Sequence, residues 1–409
     1  MLSKKTIEIV KSTAPVLADK GVEITTYFYK KLFENHPELL NIFNHANQSK
    51  GRQQTALANT VYAAATYIDQ LEVVLPAVKQ IAHKHRSLQV KPEHYPIVGE
   101  HLLLAIKEVL GDAATDEILH AWGEAYGVIA QVFIDVEQEM YQQAETSNAG
   151  WTDFKEFEVV RKEEESSVIT SFYLKPADGS KVSLHKPGQY ITIRVSIPGE
   201  KYLLNRQYSL SDAPNEDYYR ISVKREAEFT PEGKVSNYLH DQVNAGDKLE
   251  LTVPAGDFIL DSGREPVYLI SGGVGITPML SMLKTIAQEA PARPTTFLHA
   301  SKNGTVHAFY DEVKNTMETL QRGEAIFVYE NPTVEDRSRQ KFHFDGYVTE
   351  EMIRELHAEP ESKFYVCGPV PFMRAILNHL ENIGVPAEKI NYEFFGPAMD
   401  LKQKQSVGA

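Results

Sequence analysis

The spacing of apolar residues changes twice along the 409-residue chain, and these two changes constrain the fold more than any other feature of the sequence. Residues 1–146 carry apolar side chains at helical spacing, with few β-branched alternations. Short alternating runs separated by turn residues occupy 150–263, which is typical of an antiparallel β-barrel. Apolar strand-like runs then alternate with helical segments over 266–409, as in a doubly wound α/β domain. The sequence therefore predicts a multidomain chain in which an all-α, a β-barrel and an α/β domain follow one another.

Composition and charge narrow the class of protein. Apolar residues make up 42% of the chain, so packed cores are expected throughout. The net charge of −14 argues against nucleic acid or an anionic membrane as partner. Cys367 is the only cysteine, so no internal disulfide can form, which fits a reducing cytosol. No apolar run reaches the roughly 18 residues that span a bilayer, and the first residues lack a signal-peptide core. We therefore expect a monomeric cytoplasmic protein whose partners are small molecules.

The helical block places a histidine on an apolar face. Val78, Ile81, His85 and Leu88 follow one another at steps of three, four and three residues, so His85 lies on the buried side of its helix. His83 lies about 200° round the same helix and faces elsewhere. A lone histidine on such a face is more often a satisfied core residue than a metal ligand, so both interpretations stay open at this point.

Further polar and aromatic side chains lie on apolar faces of the same block. They are Tyr29 on a stripe with Val22, Thr25 and Leu32, Gln53 one turn before Leu57, Tyr95 at the head of a stripe, and Glu137 within one. Each alone would be an ordinary core tyrosine or helix-flank residue. Together with His85 they exceed what an unused helical core carries, because buried polar groups need partners. The sequence therefore predicts a buried polar site in this block.

The strand-like stretch Arg206–Ser209 carries groups suited to a flavin nucleotide. Arginine can grip a pyrophosphate through two nitrogens. Tyr208 stands two residues after Arg206, on the same face of a strand, where it can stack on a ring. The hydroxyl of Ser209 can hydrogen-bond the edge of an isoalloxazine. Taken alone, these residues are as compatible with an ordinary exposed strand.

The flanking sequence strengthens the flavin interpretation. Pro187–Tyr190 precedes the motif, and Pro254–Phe258 closes the block. Between them, Gly233–Asn237 is typical of a glycine-led turn into a helix, whose first amides suit a pyrophosphate. The segment 227–232 is longer than this turn needs, and a plain surface insertion is the favoured interpretation.

A glycine-rich loop follows the first strand of the α/β block. Val267–Ile270 is an apolar run typical of a buried parallel strand, and Ser271–Pro278 follows it, with a helix predicted from Met279. Glycines let backbone amides approach a phosphate, and a helix N-terminus favours its charge. The loop does not have the G-x-G-x-x-G pattern of the standard dinucleotide fold. Cys367 ends a later strand, where such sheets bind ligands, although a small buried thiol is an equally good interpretation of this residue alone.

These residues together resemble the bacterial flavohaemoglobin family, a globin followed by a ferredoxin–NADP reductase-like module, over nearly the whole chain. The resemblance implies that His85 is the axial ligand of a haem b iron, with Tyr29 and Gln53 on the opposite side of the haem. Tyr95 and Glu137 would form a hydrogen-bonded relay to the histidine, and such a carboxylate strengthens an imidazole as a ligand. Further implied haem contacts are Phe43, Leu57 and Lys84.

The same resemblance implies FAD and nicotinamide sites. The expected FAD contacts are Tyr190, Arg206, Gln207, Tyr208, Ser209, Gly233 and Ser236, with a flavin-covering tail of Glu393, Phe394, Phe395, Gly396 and Pro397. The expected nicotinamide-nucleotide contacts are Ser271, Gly272, Gly273, Val274, Gly275, Ile276, Thr277 and Cys367. Phe394 stands where many relatives have cysteine. Lys302 could contact the 2′-phosphate of NADPH, but a solvated lysine is the simpler interpretation, and we favour NADH.

The implied activity is NAD(P)H-dependent dioxygenation of nitric oxide to nitrate, a detoxification reaction in which electrons pass from nicotinamide to FAD to haem. Two other classes stay open. One is a reductase whose acceptor is ferric iron, a quinone or a lipid hydroperoxide. The other is an oxygen-binding globin whose reductase only keeps the iron ferrous. Tyr29 disfavours an oxygen carrier, because strong stabilisation of bound dioxygen slows its release.

Overall fold

The computed structural model describes residues 2–43, 48, 51–227, 230–356 and 361–396 of the chain. These residues form two compact units. The first comprises the chain up to Phe154 together with Thr192–Arg206 and Gly396, and the second comprises Lys155–Ile191 and Gln207–Phe395. The first unit therefore combines the helical block with a segment that the sequence assigns to the β-rich block.

The helical part of the first unit is confirmed as all-α within the described residues. Its helices are α1 (Lys4–Ser12), α2 (Ala14–Asn35), α3 (Arg52–Thr66), α4 (Leu75–Ser87), α5 (His94–Leu110) and α6 (Asp116–Thr146). The hydroxyl of Thr115 accepts a hydrogen bond from the Ile118 amide and so caps α6. The apolar faces of α2, α5 and α6 meet in a core around Phe28, Ile106 and Trp122. This core fixes the direction in which each helix presents its polar residues.

Asn41 joins the helical block to the segment Thr192–Arg206 within the first unit. Its side-chain Oδ1 accepts a hydrogen bond from the Leu203 amide at 2.9 Å. Its backbone oxygen accepts one from Asn205 Nδ2 at 2.8 Å. Asn205 is 3% exposed, whereas Asn41 and Leu203 are half-buried, so the bonds are partly shielded from water.

The β-rich block forms one six-stranded sheet. Its strands are β1 (Lys155–Glu164), β2 (Ile169–Pro176), β3 (Tyr190–Val195), β4 (Leu204–Ser209), β5 (Tyr219–Lys224) and β6 (Lys248–Leu251), in the order β4-β3-β6-β1-β2-β5. The pairs of β1 with β2 and β6, and of β2 with β5, are antiparallel. A bridge between Leu210 and Ile221 connects the end of β4 to β5, so the sheet closes on itself. The predicted antiparallel barrel is confirmed.

A helix α7 (Lys234–Gln242) follows β5 and starts directly after Gly233. The amide of Gly233 donates to the oxygen of Glu226 at 2.7 Å, so the ends of the segment 227–232 are held together at its base. This bond is compatible with the surface insertion that the sequence favours. Residues 228 and 229 lie outside the described residues.

The α/β block forms a second six-stranded sheet, in which every pair is parallel. Its elements are β7 (Val267–Gly272), α8 (Ile276–Glu289), β8 (Thr295–Ser301), α9 (Tyr310–Glu318), β9 (Gly323–Tyr329), α10 (Val334–Arg339), β10 (Phe344–Asp345), α11 (Glu350–Leu356), β11 (Lys363–Cys367), α12 (Val370–Asn382) and β12 (Ile390–Glu393). The strand order β10-β9-β8-β7-β11-β12 confirms the doubly wound fold.

Helix α8 begins at Ile276, three residues before the predicted start at Met279. Pro278 therefore lies inside the first turn rather than before it. This is possible because the first amides of a helix have no partner within the helix, so the missing N–H of proline costs no hydrogen bond there. Among the helices of the described residues, none is long and apolar enough to cross a membrane.

Candidate functional site

The predicted haem ligand His85 and its two predicted partners, Tyr95 and Glu137, meet in the helical block. His85 Nδ1 lies 2.7 Å from Glu137 Oε1 and 3.3 Å from the Tyr95 hydroxyl. The Tyr95 hydroxyl also donates to Glu137 Oε1 at 2.6 Å. A carboxylate can only accept hydrogen bonds, so Nδ1 of His85 carries the proton that faces it. This leaves Nε2 as the ring nitrogen that can bind a metal.

The helices explain why these three residues meet. Glu137 lies on the buried face of α6 and is 3% exposed, whereas His85 on α4 remains about one-third exposed. Burial, followed by the charge of Glu137, raises the pKa of Tyr95 above its ordinary value, so the hydroxyl stays protonated and donates. Tyr126 fixes Tyr95 from the other side through a 2.5 Å hydrogen bond to its backbone oxygen. The carboxylate of Glu137 is therefore a shared acceptor that holds the imidazole in one orientation.

The predicted distal residues also come together. Tyr29 is 6% exposed and its hydroxyl oxygen accepts a hydrogen bond from the side chain of Gln53. Burial raises the pKa of Tyr29, so its hydroxyl remains a donor at all physiological pH values. The ring of Phe43 packs edge-on against Tyr29 with centroids 5.9 Å apart, and Leu57 packs against the same core. Gln53 Oε1 is buried without a hydrogen-bond partner among the described residues.

An orphaned buried acceptor beside a buried tyrosine hydroxyl is unfavourable in an ordinary core, and it fits a pocket that takes a polar ligand. The apolar stripe that presents Tyr29 differs from the predicted one in a single residue. Val22 is half-exposed at 50%, whereas Gly21 and Thr25 are buried. The inclusion of Val22 was wrong, because the buried face of α2 is rotated by one residue at its first turns. Tyr29 itself is buried as predicted.

Lys84, next to His85 on α4, donates a hydrogen bond from Nζ to the backbone oxygen of Gly396. Gly396 is the last described residue of the predicted flavin-covering tail. Phe394 is partly buried, Phe395 is 41% exposed, and Pro397 lies outside the described residues. Lys84 thus bonds to Gly396, and its predicted contact with haem stays a prediction.

The residues of the predicted flavin motif lie on strand β4 with differing exposure. Arg206 and Tyr208 are partly exposed on one face, Gln207 is exposed, and Ser209 is buried. The guanidinium of Arg206 donates to the backbone oxygen of Asn205 at 2.7 Å. Tyr190, at the start of β3, is 5% exposed and packs on Gly256, where a Cβ would lie 2.9 Å from its ring. A face with an arginine and a tyrosine two residues apart is suited to a nucleotide with a planar ring.

At the N-terminus of α7, the hydroxyl of Ser236 is engaged locally. It donates to the oxygen of Gly233 at 3.1 Å and accepts from the Glu226 amide at 3.2 Å. A Cβ at Gly233 would lie 2.6 Å from this hydroxyl, so only glycine fits the turn without displacement. The backbone amides of the helix start, rather than the Ser236 hydroxyl, are the groups suited to an anion.

The glycine-rich loop after β7 is tightly packed. A Cβ at Gly275 would lie 2.2 Å from the backbone oxygen of Cys367, and one at Gly272 would lie 2.9 Å from the ring of Phe372. Gly273 has a φ of 53°, which favours glycine. The predicted contacts Val274 and Ile276 lie in this loop and at the start of α8. These glycines are therefore required by close packing of the loop against Cys367 and Phe372, and the approach of a phosphate to the loop backbone stays a prediction.

The side chains of Ser271 and Thr277 bond to protein atoms. Ser271 Oγ lies 2.8 Å from His299 Nδ1, and Thr277 Oγ1 donates to the oxygen of Val274 at 3.0 Å. Both residues are almost fully buried. Sequence reasoning did not identify His299 as part of this region, because a histidine within an apolar strand is indistinguishable from any other core polar residue until its neighbour on β7 is known.

Cys367 pairs in register with Ser271 on β7 and with Glu393 on β12. Burial, followed by the charge of Glu393, raises the pKa of its thiol well above the ordinary value, so it is not a thiolate. The strand end that carries Cys367 is thus placed beside the glycine-rich loop. A neutral, buried thiol is not suited to nucleophilic attack.

Three family models match the helical, β-rich and α/β blocks of the chain in turn. The family model described as Globin matches residues 26–133. The model described as Oxidoreductase FAD-binding domain matches residues 156–259, and that described as Oxidoreductase NAD-binding domain matches residues 269–378.

Proteins that are similar over nearly the whole chain are named flavohemoprotein. A protein of Bacillus thuringiensis subsp. konkukian named flavohemoprotein is 58% identical over 404 residues, which cover 98% of this chain and 100% of that protein. The crystal structure of a flavohemoglobin from Malassezia yamatoensis, with bound FAD and heme, superposes with a TM-score of 0.84 at 27% identity, covering 97% of this chain and 100% of that one. The FAD/NAD-binding domain of nitric oxide dioxygenase from Vibrio cholerae is 39% identical with a TM-score of 0.55, over 60% of this chain and 100% of that one.

Proposed function

Because the chain belongs to the flavohemoprotein family, we propose that it is an NAD(P)H-dependent nitric oxide dioxygenase that converts nitric oxide and dioxygen to nitrate and so removes nitric oxide. The observation that carries the proposal is the triad in which Glu137 accepts hydrogen bonds from both His85 and Tyr95. The Vibrio domain named for this activity is similar to the second half of the chain. The cofactors are haem b, FAD and NADH or NADPH.

The residues present fit these cofactors. When bound, FAD divides the two electrons of a nicotinamide into single electrons, which are what a haem iron accepts. His85 would hold the iron, with Phe43, Leu57 and Lys84 next to the haem. Tyr190, Arg206, Gln207, Tyr208, Ser209, Gly233 and Ser236 would hold FAD, together with the tail from Glu393 to Pro397. The loop Ser271–Thr277 and Cys367 would hold the nicotinamide nucleotide, largely through backbone groups.

On the histidine side, Glu137 and Tyr95 control how strongly His85 donates. The 2.7 Å contact between the carboxylate and Nδ1 draws the ring proton towards Glu137, which gives the imidazole partial negative character. Tyr95 donates to the same oxygen and so keeps the carboxylate in place. A ligand of this strength is typical of haem sites that activate dioxygen rather than store it.

On the opposite side, Tyr29 and Gln53 bind and orient the gaseous substrate. The protonated Tyr29 hydroxyl can donate a hydrogen bond to a group that develops negative charge, and in a buried pocket such a bond is stronger than in water. Gln53 fixes the hydroxyl direction and carries an acceptor without a partner among the described residues. The two side chains form a pocket that favours dioxygen chemistry over simple storage.

We further propose that the domains extend over 1–146, 150–263 and 266–409, and that the protein acts as a cytoplasmic monomer without nucleic acid or membrane partners. The net charge of −14 supports the last point, because it disfavours polyanionic surfaces.

Product analysis tests the proposed activity. Purified protein loaded with haem and FAD should consume nitric oxide under air, form one nitrate per nitric oxide, and oxidise one NAD(P)H per two nitric oxide molecules. If nitric oxide is not consumed while a quinone, ferric iron or a lipid hydroperoxide is reduced quickly, the protein is a reductase of another acceptor. If neither reaction occurs but dioxygen binds reversibly, it is an oxygen-binding globin.

A further inference from the structure

Four charged residues meet in the second unit, between the β-barrel and the α/β sheet. Lys284 on α8 bonds Asp212 through Nζ, and the same Nζ lies 2.7 Å from Glu312 Oε1 on α9. Arg220 on β5 donates from NH1 to Glu312 Oε2 at 3.0 Å, and its Nε lies 3.8 Å from Asp212 Oδ2. Two cations and two carboxylates therefore alternate round a closed ring, which we call the charge ring.

The charge ring is largely withdrawn from water. Arg220 is 3% exposed and Asp212 is 6% exposed, while the side chains of Lys284 and Glu312 are 23% and 27% exposed. Burial pushes the pKa of Asp212 upward, but Arg220 and Lys284 together outweigh burial and lower it, so the carboxylate is ionised. A buried ring of charges is a poor source of stability compared with an apolar contact, and its directional bonds instead favour one arrangement of the parts that it joins.

The ring joins the two segments that the proposed function assigns to flavin and nicotinamide. Asp212 lies three residues beyond Ser209, the last residue of β4. The hydroxyl of Ser281 on α8 donates to the backbone oxygen of Asp212 at 2.7 Å, in a buried position. Helix α8 starts directly after the glycine-rich loop, and Lys284 follows about two turns later. A short, bonded path thus connects the flavin strand to the nucleotide loop.

Hydride transfer depends strongly on how precisely the nucleotide loop is positioned against the flavin strand. The reacting atoms must approach to about 3–3.5 Å, and a misplacement of 1 Å can slow a reaction about a hundredfold. Apolar contacts between two layers allow small sliding movements. Lys284 bonds to two carboxylates, and Arg220 bonds to Glu312 while its charge lies 3.8 Å from Asp212, so these four residues oppose such sliding. Resting on the proposed function, we propose that Asp212, Arg220, Lys284 and Glu312 are positioning residues that fix the nicotinamide loop against the flavin strand for hydride transfer.

Variants of the two more exposed members test this role without disturbing the core. Lys284→Met retains the aliphatic stem and removes the charge, Glu312→Gln retains the shape, and Lys284→Arg keeps the charge and the capacity for two bonds. Asp311→Asn and Lys314→Met are matched controls, because both residues are exposed on α9 and lie outside the charge ring. All variants are prepared as full-length protein loaded with haem and FAD.

Stopped-flow reduction of FAD by NADH supplies the first measurement. Lys284→Met and Glu312→Gln should lower the limiting rate at saturating NADH about tenfold, with the NADH dissociation constant changed less than about twofold, because alignment rather than binding is lost. Lys284→Arg and both controls should retain the wild-type rate. A wild-type limiting rate in Lys284→Met and Glu312→Gln, even with reduced thermal stability or FAD content, would mean that the ring is only structural and would overturn the inference.

Hydrogen–deuterium exchange supplies a measurement that needs no turnover. Amides of 210–213 and of the first turns of α8 should exchange faster in Lys284→Met than in Lys314→Met, because the bonds that hold these segments together are missing. Equal exchange in the two variants would contradict the positioning role. The proposed function fails separately, and only if NADH does not reduce the flavin of the wild-type protein or nitric oxide is not converted to nitrate.

Discussion

At the scale of single residues, the histidine side depends on one carboxylate oxygen. Glu137 Oε1 accepts hydrogen bonds from His85 Nδ1 at 2.7 Å and from the Tyr95 hydroxyl at 2.6 Å. An unpartnered carboxylate at 3% exposure would be strongly unfavourable, so the two hydrogen bonds also explain why an acid is tolerated on the buried face of α6. The same atoms therefore stabilise the fold and set the ligand strength.

Glu137→Gln should weaken this coupling while preserving the shape of the site. The neutral amide draws the Nδ1 proton less strongly, so the iron–histidine stretching frequency should fall and turnover should slow, with haem retained. Resonance Raman spectroscopy of the ferrous protein measures the frequency. An unchanged frequency would show that Glu137 only satisfies its neighbours.

The identity of the metal ligand can be tested with two neighbouring histidines. His85→Ala should abolish or severely weaken haem binding, because Nε2 of His85 is the nitrogen that the Glu137 contact leaves for the metal. His83→Ala should leave the haem spectrum unchanged. Absorption spectra of the reconstituted proteins measure the bound haem. Loss of haem in His83→Ala alone would show that His83, not His85, is the ligand.

Tyr29→Phe isolates the contribution of one hydroxyl. The ring contacts with Phe28, Phe33 and Phe43 are retained, so packing should survive. Removal of a donor in such a pocket typically costs about 3 kcal/mol, or roughly a hundredfold in rate. We expect dioxygen to dissociate much faster and nitric oxide consumption to fall, while reduction of haem by NADH stays normal. Flash photolysis and a nitric oxide electrode give the two rates, and equal rates in both proteins would remove Tyr29 from the mechanism.

At the scale of elements, two histidines lie buried beside the glycine-rich loop. The rings of His299 on β8 and His307, before α9, pack against each other with centroids 4.5 Å apart and planes tilted by 40°. His299 Nδ1 bonds Ser271 and His307 Nδ1 bonds Tyr329, each at 2.8 Å. Burial lowers the pKa of His299 from 6.5 to about 3 and that of His307 well below its ordinary value. Both rings are therefore neutral in the folded protein.

These histidines should make the α/β block sensitive to mild acid. Because unfolding raises each pKa back to about 6.5, the unfolded chain binds more protons below that pH. The stability that neutral His299 contributes is complete above pH 6.5 and should fall between pH 6.5 and about 3, by at most roughly 1.4 kcal/mol per pH unit. The lowered pKa of His307 adds a loss in the same direction. Urea unfolding at pH 7.5 and 5.5 measures the slope. His299→Gln with His307→Leu should flatten it, whereas His120→Gln, at an 80% exposed position, should not.

The elements also show what the sequence can and cannot predict. His85, Tyr95 and Glu137 were found because helical periodicity assigns a face to each residue, and opposed faces meet in a core. The short strands β6, β10 and β12 were not identified, because each is four residues or fewer and is stabilised by neighbouring strands rather than by its own pattern. The charge ring has no sequence pattern either. Asp212, Lys284 and Glu312 are ordinary charged residues that only tertiary contacts bring together.

At the scale of the whole molecule, the flavin and haem functions should be separable. Arg206→Ala removes the guanidinium proposed to hold the FAD pyrophosphate, so FAD content and the rate of haem reduction by NADH should both fall. Dioxygen binding to dithionite-reduced haem should stay normal, because the triad of His85, Tyr95 and Glu137 is untouched. FAD content after gel filtration and the haem reduction rate are the measurements. Full FAD content with normal reduction would refute the role of Arg206.

The two bonds that Asn41 forms with Leu203 and Asn205 have a consequence for recombination of the gene. The sequence predicts a domain boundary near residue 150, yet the first compact unit also contains the segment Thr192–Arg206, which is encoded about 50 residues later. A chimera that joins this globin to a foreign reductase at residue 150 would leave the side chain of Asn41 facing a strand that did not evolve with it. Transplanting Thr192–Arg206 along with the globin is therefore the design that preserves the native junction, and shuffling between distant homologues at residue 150 alone is disfavoured.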